Sequence, residues 1–244
     1  MKVQIEELDS QAFGRNVLQI IDPEVDGGFP LFERQYLAEH NPVYVYARIP
    51  SERLDLIHFF EAQGFRFMEF QLRMSKRLPG RKFDTAMFDS VLGMEVLGPS
   101  GDIEPILRLA DDIFDQDRIF LDPLLDSEIA RKRYRLYITK SWLAEDEEVL
   151  RFFDKRNGRL VSFHTHKYID GQLVLTFLGG HAREYQGSGI GLGCAFNYFN
   201  HWIGKGCRRV RTHVSMAHGR ALETEYKGHD YKAEQTFALL RKIY

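Results

Sequence analysis

Residues 184–193 read EYQGSGIGLG, with a glycine at every second position from Gly187 to Gly193. Glycine loses more backbone freedom on folding than any other residue, so this stretch is costly to order. It follows a strand-like run, QLVLTFLGGH, and precedes a helix-like run, GLGCAFNYFNHWIGKG. A strand, a glycine-rich turn and a helix start form a recurrent phosphate site, because backbone N–H groups converge on the anion and no side chain blocks it. We therefore expect a phosphate site here, with a plain glycine turn as the alternative.

Two common phosphate loops do not fit this stretch. A Walker A loop requires Gly-Lys-Ser/Thr after its glycines, and Leu192 follows Gly191 instead. A dinucleotide fingerprint requires G-x-G-x-x-G, and counting from Gly189 places Cys194 where the third glycine belongs. The stretch also lies in the last third of the chain rather than in an opening βαβ unit. Both classes of nucleotide site are therefore excluded.

A third kind of loop fits. Residues Gln186–Gly191, QGSGIG, match Q/R-x-x-G-x-G/A, the loop that holds the pyrophosphate of acyl-CoA in the GNAT superfamily of N-acetyltransferases. The longer frame HAREYQGSGIG resembles V-x-P-x-Y-R-G-x-G-I-G of that superfamily, with His181 and Arg183 replacing its usual Val and Pro. The order of the surrounding hairpin, helices and strands is also similar, and the resemblance covers roughly residues 95 to 244.

Two further stretches resemble one group within the superfamily, the TDP-fucosamine acetyltransferase-like proteins. LDSQAFGRNVLQI is similar to their D-S-x-x-F-G opening, and FLDPLLDSEIARKRYRLYITKSW resembles one of their helices. The resemblance implies an α/β fold (α+β, GNAT-like), with a mixed, mostly antiparallel sheet flanked by helices. It also implies a smaller, degenerate N-terminal α/β segment, residues 1–90, before a catalytic domain, residues 91–244. Whether the segment contacts the acceptor or a second copy of the chain stays open.

Short-range patterns predict individual strands and helices of an α/β layer without the resemblance. VYVYARI is β-branched and aromatic, which is typical of a strand, and SERLDLIHFFEAQ has apolar residues at helical spacing. Asn157-Gly158 separates two alternating runs, EEVLRFFDK and RLVSFHTHKYI, which predicts a hairpin.

The resemblance assigns a binding site for acetyl-CoA, the co-substrate, and no metal. Gly179 and Gly180 end a strand that separates from its neighbour in this superfamily and would let pantetheine approach. The loop that follows would hold the pyrophosphate. The residues expected to bind acetyl-CoA are Gly179, Gly180, His181, Gln186, Gly187, Ser188, Gly189, Ile190, Gly191 and Leu192.

The resemblance also suggests catalytic residues. The superfamily commonly uses a tyrosine on a late helix to protonate the leaving thiolate, and Tyr226 is the candidate, although the surrounding N-x-x-A-x-x-x-Y pattern fits poorly. His181 is the candidate base, because histidine titrates near neutrality and His181 ends the cofactor strand. His164 and His166 alternate on one strand face and are alternative bases or metal ligands. No carboxylate or third histidine lies near them in sequence.

Composition restricts the possible partners and location. The formal net charge is -2 over 244 residues, which argues against nucleic acid as a partner. No apolar run approaches the roughly 20 residues that span a bilayer, and MKVQIEELDS lacks the apolar core of a signal peptide. Cys194 and Cys207 are the only cysteines, too few for a disulfide framework. We therefore expect a cytoplasmic protein that makes no membrane contact.

Together these observations predict an acetyl-CoA-dependent N-acetyltransferase that acts on a primary amine of a small molecule. The group resemblance suggests an amino sugar, also in nucleotide-linked form. An amino acid, peptide or antibiotic amine is an alternative acceptor. A CoA-binding module without catalysis is the alternative from a different functional class, and a homodimer stays open.

Overall fold

The first third of the chain alternates short strands and helices, and the computed structural model describes all of residues 1–244. Helix α1 (Glu7–Phe13) is followed by Gly14 and helix α2 (Phe29–His40) by Asn41, each with a positive φ (71° and 43°) that stops the helix in a left-handed turn. The elements are β1 (Lys2–Ile5), α1 (Glu7–Phe13), β2 (Val17–Ile21), α2 (Phe29–His40), β3 (Tyr44–Pro50), α3 (Leu54–Ala62) and β4 (Arg66–Arg77).

The rest of the chain contains the predicted hairpin and the glycine-rich turn. Gly158 has a φ of 72° in the turn between β6 and β7, which explains why Asn-Gly stands there. The elements are β5 (Leu92–Val96), α4 (Glu104–Ile113), α5 (Ser127–Leu143), β6 (Glu147–Asp154), β7 (Leu160–Tyr168), β8 (Leu173–His181), α6 (Ile190–Gly204), β9 (Arg209–Ser215), α7 (Gly219–Glu223) and β10 (Lys232–Ile243). A π-helical turn, Thr224–Gly228, continues α7.

All ten strands form one sheet in the order β1-β2-β3-β10-β4-β9-β8-β7-β6-β5. Seven neighbouring pairs are antiparallel, and two, β2 with β3 and β8 with β9, are parallel. The predicted fold class, a mixed and mostly antiparallel sheet flanked by helices, is therefore confirmed.

Strand β10 joins the two parts of the chain. It is the last element in sequence, yet it lies between β3 and β4, and its Ala238 and Leu240 pack in the apolar core of the N-terminal part. In turn, Met74 of β4 packs in the core beneath α6. The division between residues 90 and 91 stays a prediction, while the sheet itself is continuous.

Helices cover both faces of the sheet and thereby fix the position of the glycine loop. Helix α6 packs Ala195, Phe199 and Trp202 against one face, and α4 and α5 cover the opposite face through Ile106 and Ile138. None of the helices is both long and apolar enough to cross a membrane.

Candidate active site

The main cavity lies where β8 and β9 separate. Their parallel pairing runs from Leu173↔Arg209 to Thr176↔Thr212 and stops, although β8 continues to His181 and β9 to Ser215. The diverging strand ends leave backbone groups of β8 without a β9 partner, as the family resemblance implied. A cavity of about 950 Å³ occupies this gap, large enough for an extended small molecule together with an acceptor.

The glycine loop presents free N–H groups beside this cavity. Gly187 and Gly189 have φ values of 76° and 80°, a left-handed conformation that other residues rarely adopt. The backbone N–H groups of Gly187, Gly189 and Gly191 donate to no protein acceptor. They lie at the N-terminus of α6, where the helix dipole also favours an anion. The loop therefore has the properties of an anion cradle.

Not every predicted cofactor residue forms part of the cavity wall. Gly179, Gly180, His181, Gln186 and Gly191 line it. The remaining predicted residues lie on the same loop and first turn of α6 but outside the wall; they are Gly187, Ser188, Gly189, Ile190 and Leu192. Arg220, which the sequence analysis did not select, also lines the cavity and donates to Gln186 Oε1 at 3.0 Å. It adds a positive charge beside the loop.

Packing adds a second constraint at Gly179 and Gly180, and their role in binding pantetheine stays a prediction. A Cβ atom at Gly179 would lie 2.7 Å from His164 Cδ2, and one at Gly180 would lie 2.2 Å from Ile113 Cδ1. A side chain at Gly179 would therefore collide with the ring of His164, whereas at Gly180 only the end of the flexible Ile113 side chain would have to move. Gly191 is similar, because its Cβ would lie 3.1 Å from His181 Nε2.

His181 lies in the cavity wall as a neutral imidazole. Burial and the neighbouring His229 lower the pKa of His181 to about 4. Its Nδ1 atom is buried without a hydrogen-bond partner. At neutral pH the ring therefore offers an unprotonated nitrogen, although a base with so low a pKa accepts protons only weakly.

Tyr226 is not brought together with the other predicted residues. Its side chain is 58% exposed and does not line the cavity, whereas its neighbour Glu225 does. Instead, Tyr198 of α6 reaches the cavity, and its hydroxyl lies 3.3 Å from His229 Nδ1. His229 Nδ1 in turn lies 3.3 Å from Glu225 Oε2. The sequence analysis missed this chain because NYFNHW is typical of a core helix face, and Tyr198 is indeed buried.

The alternating histidines of β7 separate into two environments. His164 lines the cavity, with its ring 4.7 Å from that of Tyr198. His166 is fully buried and joins Glu148 and His201, a carboxylate and a third histidine that are distant in sequence. The ligand-type atoms of these three residues lie within 4.8 Å of one another.

Hydrogen bonds and an ion pair to Glu148 are sufficient to hold this second cluster together without a metal ion. His166 Nε2, His201 Nε2 and the Tyr168 hydroxyl lie 3.1, 2.8 and 3.0 Å from Glu148 Oε2. Lys205 forms an ion pair with the other carboxylate oxygen. Burial would raise the pKa of Glu148, but hydrogen bonds from the two histidines and Lys205 hold it well below its usual range. The absence of a metal stays a prediction.

We expect His164 to make folding stability depend on pH. Burial, with smaller effects of His166, His229 and His181, lowers the pKa of His164 from 6.5 to about 3. Below pH 6.5 the unfolded chain binds a proton that the folded chain does not. The free energy of unfolding should therefore decrease as the pH is lowered from 6.5 towards 3, by up to about 1.4 kcal/mol per pH unit from this group. Urea unfolding at pH 7.5 and 5.5 measures the loss.

A matched pair of variants tests this assignment. The loss of stability between the two pH values should be smaller in His164→Gln than in the native chain. His58→Gln, which removes an exposed histidine of α3, should leave it unchanged. An equal loss in His164→Gln and the native chain would contradict the role of His164.

Comparison with known proteins places this geometry in a fold family. The chain is similar to a GCN5-related N-acetyltransferase from Sphaerobacter thermophilus, with a TM-score of 0.65 over 99% of this chain and 76% of that one, at 15% identity. The chain has the GNAT fold. The chain is also similar to a tandem GNAT protein from the clavulanic acid biosynthesis pathway, with a TM-score of 0.58 over 93% of this chain and 75% of that one, at 12% identity. No protein-family model and no curated protein matches the sequence.

A third structure shares the GNAT fold over most of this chain. It is a GCN5-related glucosamine N-acetyltransferase region within a fungal multi-domain GH3 beta-N-acetylglucosaminidase. The match covers 93% of this chain and 30% of that protein, with a TM-score of 0.63 and 14% identity. The predicted relation to the TDP-fucosamine group is not tested by these similarities.

The N-terminal part of this GNAT fold also contributes to the cavity. Glu69 and Gln71 of β4 line it, facing Arg118 and Arg133 from the segment around α5. Arg133 donates to Asp9 Oδ1 at 2.7 Å, while Arg118 Nη1 lies 3.7 Å from Glu69 Oε1. This end of the cavity is polar and charged, and lies apart from the glycine loop in sequence.

Proposed function

We propose that this protein is an acetyl-CoA-dependent N-acetyltransferase that acts on the primary amine of a small molecule by direct attack in a ternary complex. The observation that carries the proposal is the combination of two features at one cavity. Strands β8 and β9 separate beside it, and the loop before α6 carries three free N–H groups. A purely structural glycine turn would require neither.

The residues present fit the co-substrate. The N–H groups of Gly187, Gly189 and Gly191, together with Arg220, would hold the pyrophosphate. The β8 segment from Phe177 to Gly180, free on its β9 side, would pair with the pantetheine amides. Acetyl-CoA supplies an activated acetyl group, and the transfer forms an amide bond, breaks the thioester bond and releases free CoA.

Proton handling would rest on the chain Tyr198–His229–Glu225. Burial, with smaller effects of nearby acidic groups, raises the pKa of Tyr198 well above its ordinary value. The phenol therefore keeps its proton at working pH and can donate a hydrogen bond to charge that develops on the leaving sulfur. His229 and Glu225 would receive the proton given up by the amine or pass it to water. His181 would orient the reacting groups as a neutral hydrogen-bond partner.

The two tyrosines provide a direct test of this assignment. Tyr198→Phe should lower kcat by about 100-fold, because it removes the hydrogen-bond donor to the leaving sulfur. Tyr226→Phe should leave kcat unchanged, because Tyr226 lies outside the cavity. Steady-state release of free CoA measures both. The opposite pattern would restore the sequence-based assignment of Tyr226.

The acceptor we propose is an amino sugar. The resemblance of the N-terminal stretches to one GNAT group supports this proposal. So does the polar end of the cavity at Glu69 and Gln71, since sugars require many hydrogen-bonding groups. Screening amino sugars, amino acids and aminoglycosides for CoA release would test the acceptor class.

Calorimetric titration with acetyl-CoA tests the function itself. We expect saturable binding at one site per chain, followed by CoA release when the acceptor amine is added. Binding without release for any amine would favour the alternative of a CoA-binding module. No binding would overturn the proposal and leave the glycines as a structural turn.

A further inference from the structure

Strand register gathers several basic side chains on one face of the sheet. Directly opposed residues in antiparallel strands share a face. Arg73 of β4 is opposed to His213 of β9 on one side and to Gln235 of β10 on the other. Phe237 lies two residues after Gln235 in β10 and therefore shares the same face of the sheet. Arg48 of β3 joins them, because it is opposed to Leu239, two further residues along β10.

Arg48 has no acidic partner on this face. Its guanidinium carbon lies 4.2 Å above the centre of the Phe237 ring. Its Nε and Nη2 atoms are buried and make no hydrogen bond. Burial and the neighbouring Arg118 and Arg73 lower the pKa of Arg48, but a guanidinium stays charged in proteins. Unpaired buried donors of a charged group are costly unless a ligand satisfies them.

The other arginines of the patch share one carboxylate. Arg73 Nε and Arg211 Nε lie 3.1 and 3.2 Å from Glu234 Oε2. Arg48 takes no part in these contacts, and the second carboxylate on this face belongs to Glu69, which like Arg48 is opposed to Leu239 of β10. His213 adds no charge near neutral pH, since partial burial and the same three arginines lower its pKa to about 4. The patch therefore carries three guanidinium groups, of which two share the Glu234 carboxylate and Arg48 makes no ion pair.

The patch adjoins the acceptor end of the cavity and lies away from the glycine loop. His213 and Glu69 line the cavity, and both belong to this sheet face, since Glu69 is opposed to Leu239 of β10 and His213 to Arg73 of β4. Val210 and Val214, which alternate with Arg211 and His213, pack in the core beneath α6. The basic patch is therefore on the face opposite α6. A phosphate held at the N-terminus of α6 does not account for it.

Glu69 places one unpartnered carboxyl oxygen beside this positive patch. Its Oε1 atom accepts a hydrogen bond from Gln71 Nε2 at 2.8 Å, whereas its Oε2 atom is buried without a partner. The residue is only 6% exposed. The cavity thus offers a carboxylate oxygen suited to an ammonium or hydroxyl group, and the guanidinium groups of the patch, which lie beside the cavity wall rather than in it, are suited to an anion.

We propose that the patch formed by Arg48, Arg73 and Arg211 binds an anionic group of the acceptor. The acceptor would then be a primary amine that also carries a phosphate or a carboxylate. The acceptor class rests on the proposed acetyltransferase function, whereas the anion site itself does not.

Anion binding is measured first, independently of turnover. Inorganic phosphate is titrated into protein saturated with CoA, so that the glycine loop is already occupied. We expect binding at one site per chain, weakened by about tenfold or more in Arg48→Met. Arg48→Lys keeps a charge and should retain part of the affinity. Arg159→Met, which removes an exposed arginine of the β6–β7 turn, should bind phosphate like the native chain.

Acceptor preference is measured second, with matched amines. Glucosamine and glucosamine 6-phosphate differ only in the phosphate, and 2-phenylethylamine and phenylalanine differ only in the carboxylate. For at least one pair we expect a KM about tenfold lower for the anionic member, and this advantage should disappear in Arg48→Met. The affinity for acetyl-CoA should stay unchanged.

The outcomes separate the two proposals. Phosphate binding that is absent, or equal in native protein and Arg48→Met, would overturn the anion site. Equal KM values within both pairs would overturn the acceptor class. Arg48-dependent phosphate binding without acetylation of any amine would support the anion site and count against the acetyltransferase function.

Discussion

Gly189→Glu should abolish measurable binding of acetyl-CoA. Gly189 has a φ of 80°, and a Cβ there meets no protein atom within 4 Å. A glutamate would therefore project into the open space in front of the free N–H groups. Its carboxylate would compete for them and repel the pyrophosphate. Repulsion of about 3 kcal/mol, typical of charges near a protein surface, corresponds to a loss of at least about 100-fold in affinity.

A control variant separates this effect from backbone strain. Gly158 in the β6–β7 turn has a φ of 72°, and a Cβ there also meets nothing within 4 Å. Gly158→Glu therefore imposes a similar conformational cost without facing the cavity, and it should bind acetyl-CoA like the native chain. Isothermal titration calorimetry measures the acetyl-CoA affinity of both variants, and circular dichroism verifies that both are folded. Equal affinities in Gly189→Glu and native protein would remove the loop from the binding site.

The glycine loop shows why local sequence predicts part of the site well. A helix N-terminus preceded by positive-φ glycines is a local property, because the strand, turn and helix follow one another in the chain. The same holds for the Asn157-Gly158 hairpin and for the helices with regular apolar spacing. The separation of β8 from β9 came from the family resemblance, and the register confirms it.

The residues that the sequence analysis missed are those brought together from distant elements. Tyr198 faces the cavity only because α6 packs beneath the point where β8 and β9 separate, and its apolar neighbours hide this role in sequence. Glu148 and His201 meet His166 only because three separate elements adjoin. The position of β10 between β3 and β4 is equally non-local. No short-range pattern carries such information.

Tyr226 shows that a motif can predict a position without fixing the orientation of its side chain, and its catalytic role stays a prediction. The family pattern around it fitted poorly, and the chain there forms a π-helical turn, Thr224–Gly228. Such a turn adds a residue to the helical period and changes which side chains face inward. Glu225 lines the cavity, and Tyr226 is exposed.

Asp122→Ala should cause the largest loss of stability among the charged residues of the chain. Asp122 lies in the FLDPLL stretch, and Arg241 of β10 donates to its two oxygens at 2.8 and 2.9 Å. Asp122 is 4% exposed and Arg241 8%. Removing one partner leaves an uncompensated buried charge, which typically costs about 3–5 kcal/mol. The free energy of unfolding in urea measures this loss.

An exposed ion pair of the same geometry provides the control. Arg53 Nε and Nη2 donate to the two oxygens of Asp55 at 2.9 and 2.7 Å, but both side chains are about half exposed. Asp55→Ala should therefore cause no measurable loss, since solvent screens such pairs. Similar losses in the two variants would show that burial does not decide the effect. A large loss in Asp122→Ala alone would identify the Asp122–Arg241 pair as the link between the segment before α5 and the strand that joins both parts of the sheet.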